Sequence, residues 1–143
     1  MLDKQLLEKK MVMLSEYIGE LEPLVVGAQI KNIKDNHTRL FAIERCFQLA
    51  VDQMIDINTH IIREKNLGSV DDLQSTFKML GDFNILPGEF ASKIAPIVGA
   101  RNMLVHRYEK LDKDMFLRNL QINFDDFKKY LIQINNFLEK ERK

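Results

Sequence analysis

Between positions 101 and 108 the chain reads Arg101-Asn102-Met103-Leu104-Val105-His106-Arg107-Tyr108. An arginine, an amide, a histidine and a tyrosine thus fall within about two turns of a helix. These groups can grip, orient and deprotonate around a phosphodiester. A histidine that titrates near neutrality can take the proton of a ribose 2′-hydroxyl, and a second can protonate the leaving 5′-oxygen. Arginine is charged at every working pH, and its fork matches the negative charge that builds on a phosphorane. Asn102 is placed either to hold His106 in one tautomer or to bind the phosphate. Tyr108 can hydrogen-bond the phosphate or stack on a base. The set suits RNA cleavage without a metal or a cofactor.

Helical geometry limits what one copy can do. At about 100° per residue, Asn102 and His106 share one face and Arg101 and Tyr108 share another, with the two pairs roughly 100–140° apart. One continuous helix therefore carries a polar arc over an apolar base of Met103 and Leu104, but Arg101 and His106 do not converge. Two copies facing each other across a dimer axis would pool two of each group in one cleft. The bland alternative keeps Arg101 and Arg107 solvated, His106 as a helix-end cap, and Tyr108 packed with its hydroxyl outward. With seven arginines and three histidines in the chain, the bare Arg-to-His spacing is weak evidence. Asn102 and Tyr108 sharpen it.

The rest of the chain must position this stretch. It has 143 residues, 45% hydrophobic and 29% charged, with 21 basic and 21 acidic side chains. That suits one globular domain over 1–143 with its own core. A net charge of zero gives no global field for nucleic acid, so such a role needs a local patch or a dimer groove. The single Cys46 excludes an intrachain disulfide and a multi-cysteine zinc site, and it fits a reducing compartment. No apolar run approaches the ~20 residues that span a bilayer, and the first residues do not read as a signal peptide. A cytoplasmic protein without a membrane partner is expected.

Hydrophobic periodicity is helical throughout. Leu7, Met11, Leu14, Ile18 and Leu21 form one stripe, ended by Pro23 and Gly27. A long second helix is expected from about Asp35 to Lys65, with Ile43, Phe47, Ala50, Met54, Ile57 and Ile61 inward and Asn66-Leu67-Gly68 closing it. A third starts with Ser69 as N-cap and Asp72 three residues on, and ends near Gly81. Pro87 opens a fourth, in which Pro96 and Gly99 predict a kink just before Arg101. Asp112 opens a fifth, with Leu111 and Phe116 as a staple, which runs through Phe124, Phe127 and Ile134 almost to the end of the chain. The fold class is therefore all-α, an antiparallel bundle of four to five helices. The second and last helices are apolar over wide arcs that include Phe41, Val51, Ile55, Leu117, Ile122 and Tyr130. Such arcs mean either burial on two sides of the bundle or a self-association face, and we expect a homodimer.

Other constellations are weaker. Asp52, Asp56 and His60 recur every four residues and could ligate a metal, but no Glu-x-x-His partner accompanies them, so a polar face is the better reading. That face can also orient Arg101 or His106, and Glu44 and Arg45 can either do likewise or form an ordinary surface ion pair. His37 stands near a helix start without partners in sequence. There is no phosphate-binding glycine loop.

Arg101-Asn102-x-x-x-His106-x-Tyr108 resembles the Arg-x4–6-His signature of HEPN-domain proteins, and its tyrosine matches the form found in HepT-like toxins. Leu104-Val105-His106-Arg107-Tyr108, the second helix from Ala42-Ile43-Glu44-Arg45 to Asp56-Ile57-Asn58-Thr59-His60-Ile61-Ile62, and the turn from Gly81 to Pro87 are similar as well. The resemblance runs from about residue 35 to 130. It implies an all-helical homodimer with paired motifs in an interface cleft. It also implies a metal-independent endoribonuclease toxin whose partner is a small nucleotidyltransferase antitoxin of the MntA type. On this reading Arg101 and His106 are catalytic, Asn102 and Tyr108 support substrate, and Tyr108 is also the residue that the antitoxin adenylylates. Many members of the family have lost catalysis, so a noncatalytic helical adaptor that binds a nucleotidyltransferase or a nucleotide is the alternative.

Overall fold

A computed structural model describes residues 1–142. Its helices are α1 (Lys4–Val25), α2 (Ile30–Lys34), α3 (His37–Glu64), α4 (Ser75–Asp82), α5 (Gly88–Ile94), α6 (Ile97–His106), α7 (Lys113–Ile122) and α8 (Asp125–Glu141), with a 3-10 turn at Tyr108–Lys110 between α6 and α7. The described residues contain no strand.

Side-chain pairings fix the directions of the helices. Lys10 meets Asp56, Cys46 meets Glu20, and Arg39 donates to the Leu24 carbonyl, so α1 and α3 run antiparallel. Arg142 pairs with Glu8 and Lys128 with Glu22, so α8 is antiparallel to α1. Tyr130 bonds Asn58 and Lys65 meets Glu141, which makes α8 parallel to α3. α3 is the central helix. Leu40, Ile43, Phe47, Ala50, Val51, Met54, Ile55, Ile57, Ile61 and Ile62 are all buried, which spreads contact around most of its circumference. Its wide apolar arc is thus satisfied within one chain, apart from Phe41, which is 56% exposed. On the expected fifth helix Leu117 and Tyr130 are buried, and Ile122 is left outside.

The helix ends follow local chemistry. Asp3, Asn36 and Asp112 each accept a backbone N–H from the third residue on, the usual N-cap bond. α3 ends in a Schellman arrangement, with Leu67 N–H bonding the Ile62 carbonyl and Asn66 in the left-handed region at φ 53°. Asn66, the first of the expected closing residues Asn66-Leu67-Gly68, therefore takes the left-handed position that ends the helix. α4 starts five residues later than expected. Asp72 takes the backbone N–H and hydroxyl of Ser75, both at 2.8 Å, and Ser69 caps nothing.

Two expected helices are each divided. Pro96 has no N–H to give the preceding turn, and the expected kink is a full break between α5 and α6. The fifth helix breaks at Asn123–Phe124, where Asp126 and Phe127 bond back only three residues, to Asn123 and Phe124. No proline or glycine marks that bend. Tertiary packing holds it: Phe47 meets Phe116 at 5.0 Å edge-on, Phe127 stacks obliquely on Phe124 at 5.6 Å, and all four rings are buried.

Candidate active site

α6 crosses α3 antiparallel, and two polar pairings fix its register. The Arg101 Nε donates to Asp52 Oδ1 at 2.8 Å, and the Tyr108 hydroxyl donates to Glu44 Oε2 at 3.0 Å. Glu44 and Asp52 lie two turns apart on one face of α3, so that face clamps both ends of the motif. Asp52, on the polar face expected to orient Arg101 or His106, meets Arg101, whereas Glu44 meets Tyr108, a pairing that nothing in the sequence signals.

Arg101 is largely covered, with its side chain 18% exposed. Its Nη1 also donates to Asn102 Oδ1 at 3.1 Å. Two of five guanidinium protons are thereby held, and the rest of the fork is free to meet an anion. Asn102 thus orients Arg101, whereas one expectation had it hold His106. The amide NH2 of Asn102 stays free for a substrate oxygen. His106 is exposed at the end of α6 and has no hydrogen-bond partner among the described residues. Arg101, Asn102, His106 and Arg107 share the lining of an open groove of about 560 Å³ with Leu73, Gly99 and Met103.

Tyr108 is placed differently from the helical arithmetic. α6 stops at His106, Arg107 turns out of the helix at φ −141°, ψ 46°, and Tyr108 begins the 3-10 turn. Tyr108 therefore leaves the face of Arg101 and folds against α3. Lys113 on α7 sits 5.0 Å above its ring, within cation–π range. Burial pushes the Glu44 carboxyl above the ordinary carboxylate range, and the Tyr108 hydrogen bond and the Lys113 charge offset part of that rise.

Asp52, Asp56 and His60 do not converge. Asp52 is held by Arg101, Asp56 by Lys10, and buried His60 faces the Asp3 N–H and the Arg63 guanidinium. No cluster of three or more metal-binding side chains occurs among the described residues. A second cavity of about 520 Å³ shares Gly99 and Met103 with the groove and is walled mainly by hydrocarbon from Phe47, Ile94, Ile97, Met115 and Phe116. It does not include Arg101 or His106. No helix among the described residues is long and apolar enough to cross a membrane.

The fold and the braced motif define a class: an all-helical bundle that presents an arginine and a histidine from one short helix to an open groove. Within that class the chain belongs to the ribonuclease HepT-like family, whose profile matches residues 14–134. It is 28% identical over 133 residues to the tRNA nuclease HepT of Aphanizomenon flos-aquae, covering 93% of this chain and 90% of that one. It is also 28% identical over 89 residues to the mRNA nuclease HepT of Shewanella oneidensis, covering 62% of this chain and 64% of that one. A solved structure of the tri-AMPylated Shewanella oneidensis HEPN toxin in complex with its MNT antitoxin superimposes with a TM-score of 0.82 at 23% identity, over 95% of this chain and 99% of that chain.

Proposed function

We propose that this chain is a cytoplasmic endoribonuclease, the toxin of a toxin–antitoxin pair, which cleaves RNA by 2′-hydroxyl attack without a metal ion. The observation that carries the reading is the Arg101 fork, braced by Asp52 and Asn102 and opening into the groove that also holds His106. Family membership supports it, and so do the nuclease names of the two relatives. Those names differ in the RNA they specify, and the substrate class is RNA with a free 2′-hydroxyl.

His106 serves as general base and acid. Its exposed ring can reach a substrate proton, and no group among the described residues competes for either nitrogen. Arg101 stabilises the phosphorane, and Asn102 supplies amide donors to a neighbouring phosphate oxygen. One protomer offers one histidine, while attack and departure each need a proton transfer. A homodimer that brings two grooves together supplies the second. The partner is a small nucleotidyltransferase antitoxin, and Tyr108 is the residue that it modifies, a reading supported by the AMPylated toxin complex. The test is cleavage of labelled RNA, with and without EDTA, by wild type and by Arg101→Ala. Cleavage that survives EDTA and is lost in Arg101→Ala supports the proposal. No cleavage by wild type, together with tight binding to a nucleotidyltransferase, would favour a noncatalytic adaptor instead.

A further inference from the structure

Tyr108 is one of three tyrosines, and their hydroxyls have different surroundings. Tyr130 is fully buried, and its hydroxyl faces Asn58 Oδ1 at 2.6 Å and the Met54 carbonyl at 3.1 Å, neutral acceptors that cannot keep a proton. Tyr17 is half-buried and has no hydrogen-bond partner for its hydroxyl among the described residues. Among the described residues, Tyr108 alone of the three donates to a carboxylate, Glu44 Oε2, at 3.0 Å.

We propose that Glu44 is the proton acceptor that activates Tyr108 as a nucleophile toward the α-phosphorus of a nucleoside triphosphate. The inference rests on the reading above that Tyr108 is the modified residue, and it adds that this chain supplies the base. A buried carboxylate is costly unless it is paired, and Glu44 makes no ion pair within 4 Å among the described residues; its hydrogen-bond donor is the phenol. The groups that face it are Tyr108 from the 3-10 turn and Lys113 from α7. Burial raises its carboxyl, which brings its basicity closer to working pH. Lys113, 5.0 Å above the ring, stabilises negative charge as it develops on the phenol oxygen.

The step balances without a further reactant. A lone pair of the Tyr108 oxygen attacks the α-phosphorus and forms the O–P bond. The bond from that phosphorus to the β-phosphate bridging oxygen breaks, and pyrophosphate leaves with its electron pair. The phenolic proton passes to Glu44 Oε2. The product is a tyrosyl phosphodiester beside a neutral acid. When Glu44 later ionises, two negative charges face each other where one hydrogen bond had been, and the 3-10 turn loses its tie to α3.

Glu44→Gln keeps an acceptor for the hydroxyl but cannot take the proton. The complex of this chain with its nucleotidyltransferase is given ATP, and nucleotide on the Tyr108 peptide is followed by mass spectrometry across pH. We expect transfer to slow by at least about 100-fold in Glu44→Gln, with loss of the acid-side fall in rate that wild type shows. A partner-free arm uses N-acetylimidazole, with Tyr17 as internal control for fold and reagent. Tyr108 acetylation should fall about tenfold or more in Glu44→Gln while Tyr17 is unchanged. Equal rates for wild type and Glu44→Gln in either arm overturn the role of Glu44 and leave Tyr108 as the modified residue. Nucleotide that persists in Tyr108→Phe, or none on wild type, overturns the modification reading and this proposal with it.

Discussion

At the scale of single residues, the account depends on what braces Arg101. Its Nε is held at 2.8 Å by Asp52, which sets the plane of the fork before any substrate arrives. Asp52→Ala should therefore lower kcat about tenfold to a hundredfold, with a smaller change in KM, since the charge of Arg101 survives and its aim does not. Single-turnover cleavage checks this, and an unchanged kcat would show that the brace is not used. Glu44 gives a second prediction, on stability. Its carboxyl is raised by burial, so the folded state holds that proton more tightly than the unfolded chain does. The stabilisation is complete below the ordinary carboxylate range and is lost as pH rises through the raised value. Melting temperatures of wild type and Glu44→Gln at about pH 4 and pH 7.5 test it. Wild type should lose more than the variant on going to the higher pH.

At the scale of elements, α4 and α5 cross at Gly81. A Cβ built there would lie 2.7 Å from the Ala91 Cβ, too close for either backbone to keep its place. Gly81→Ala should cost about 1–3 kcal/mol in denaturant unfolding, and Ala91→Gly in the same chain should restore part of it. No recovery in the double variant would place the strain elsewhere. The same scale shows what was legible in the sequence. The stripes from Leu7 to Leu21 and from Ile43 to Ile61 fixed α1 and α3, because apolar spacing of three and four has one helical solution. Pro96 announced the α5–α6 break for the chemical reason that it lacks an N–H. The breaks at Arg107 and at Asn123–Phe124 carry no such residue. Each is held by partners distant in sequence, Glu44 for Tyr108 and the Phe47, Phe116 and Phe127 rings for the elbow. Arg101, Asn102 and His106 were therefore legible as a group, while the turn of Tyr108 toward α3 was not.

At the scale of the whole molecule, a neutral chain with wide apolar arcs buries most of those arcs itself, and α3 is its axis. One polar network ties that axis to α8: the Tyr130 hydroxyl bonds Asn58, whose amide donates to Thr76 at 3.1 Å. Tyr130→Phe should cost about 1–3 kcal/mol, since it leaves Asn58 Oδ1 and the Met54 carbonyl buried without that donor. Because one protomer places a single exposed histidine in the groove that Arg101 lines, the proposed chemistry calls for a dimer. Activity per protomer should then fall on dilution below the dimer dissociation constant, which sedimentation measures independently. The most direct measurement is cleavage of labelled RNA by His106→Ala beside wild type, with matched helicity by circular dichroism. The account predicts cleavage by wild type in EDTA and a loss of at least about 100-fold in the variant. Equal cleavage by the two would contradict it, and would remove His106 from the chemistry.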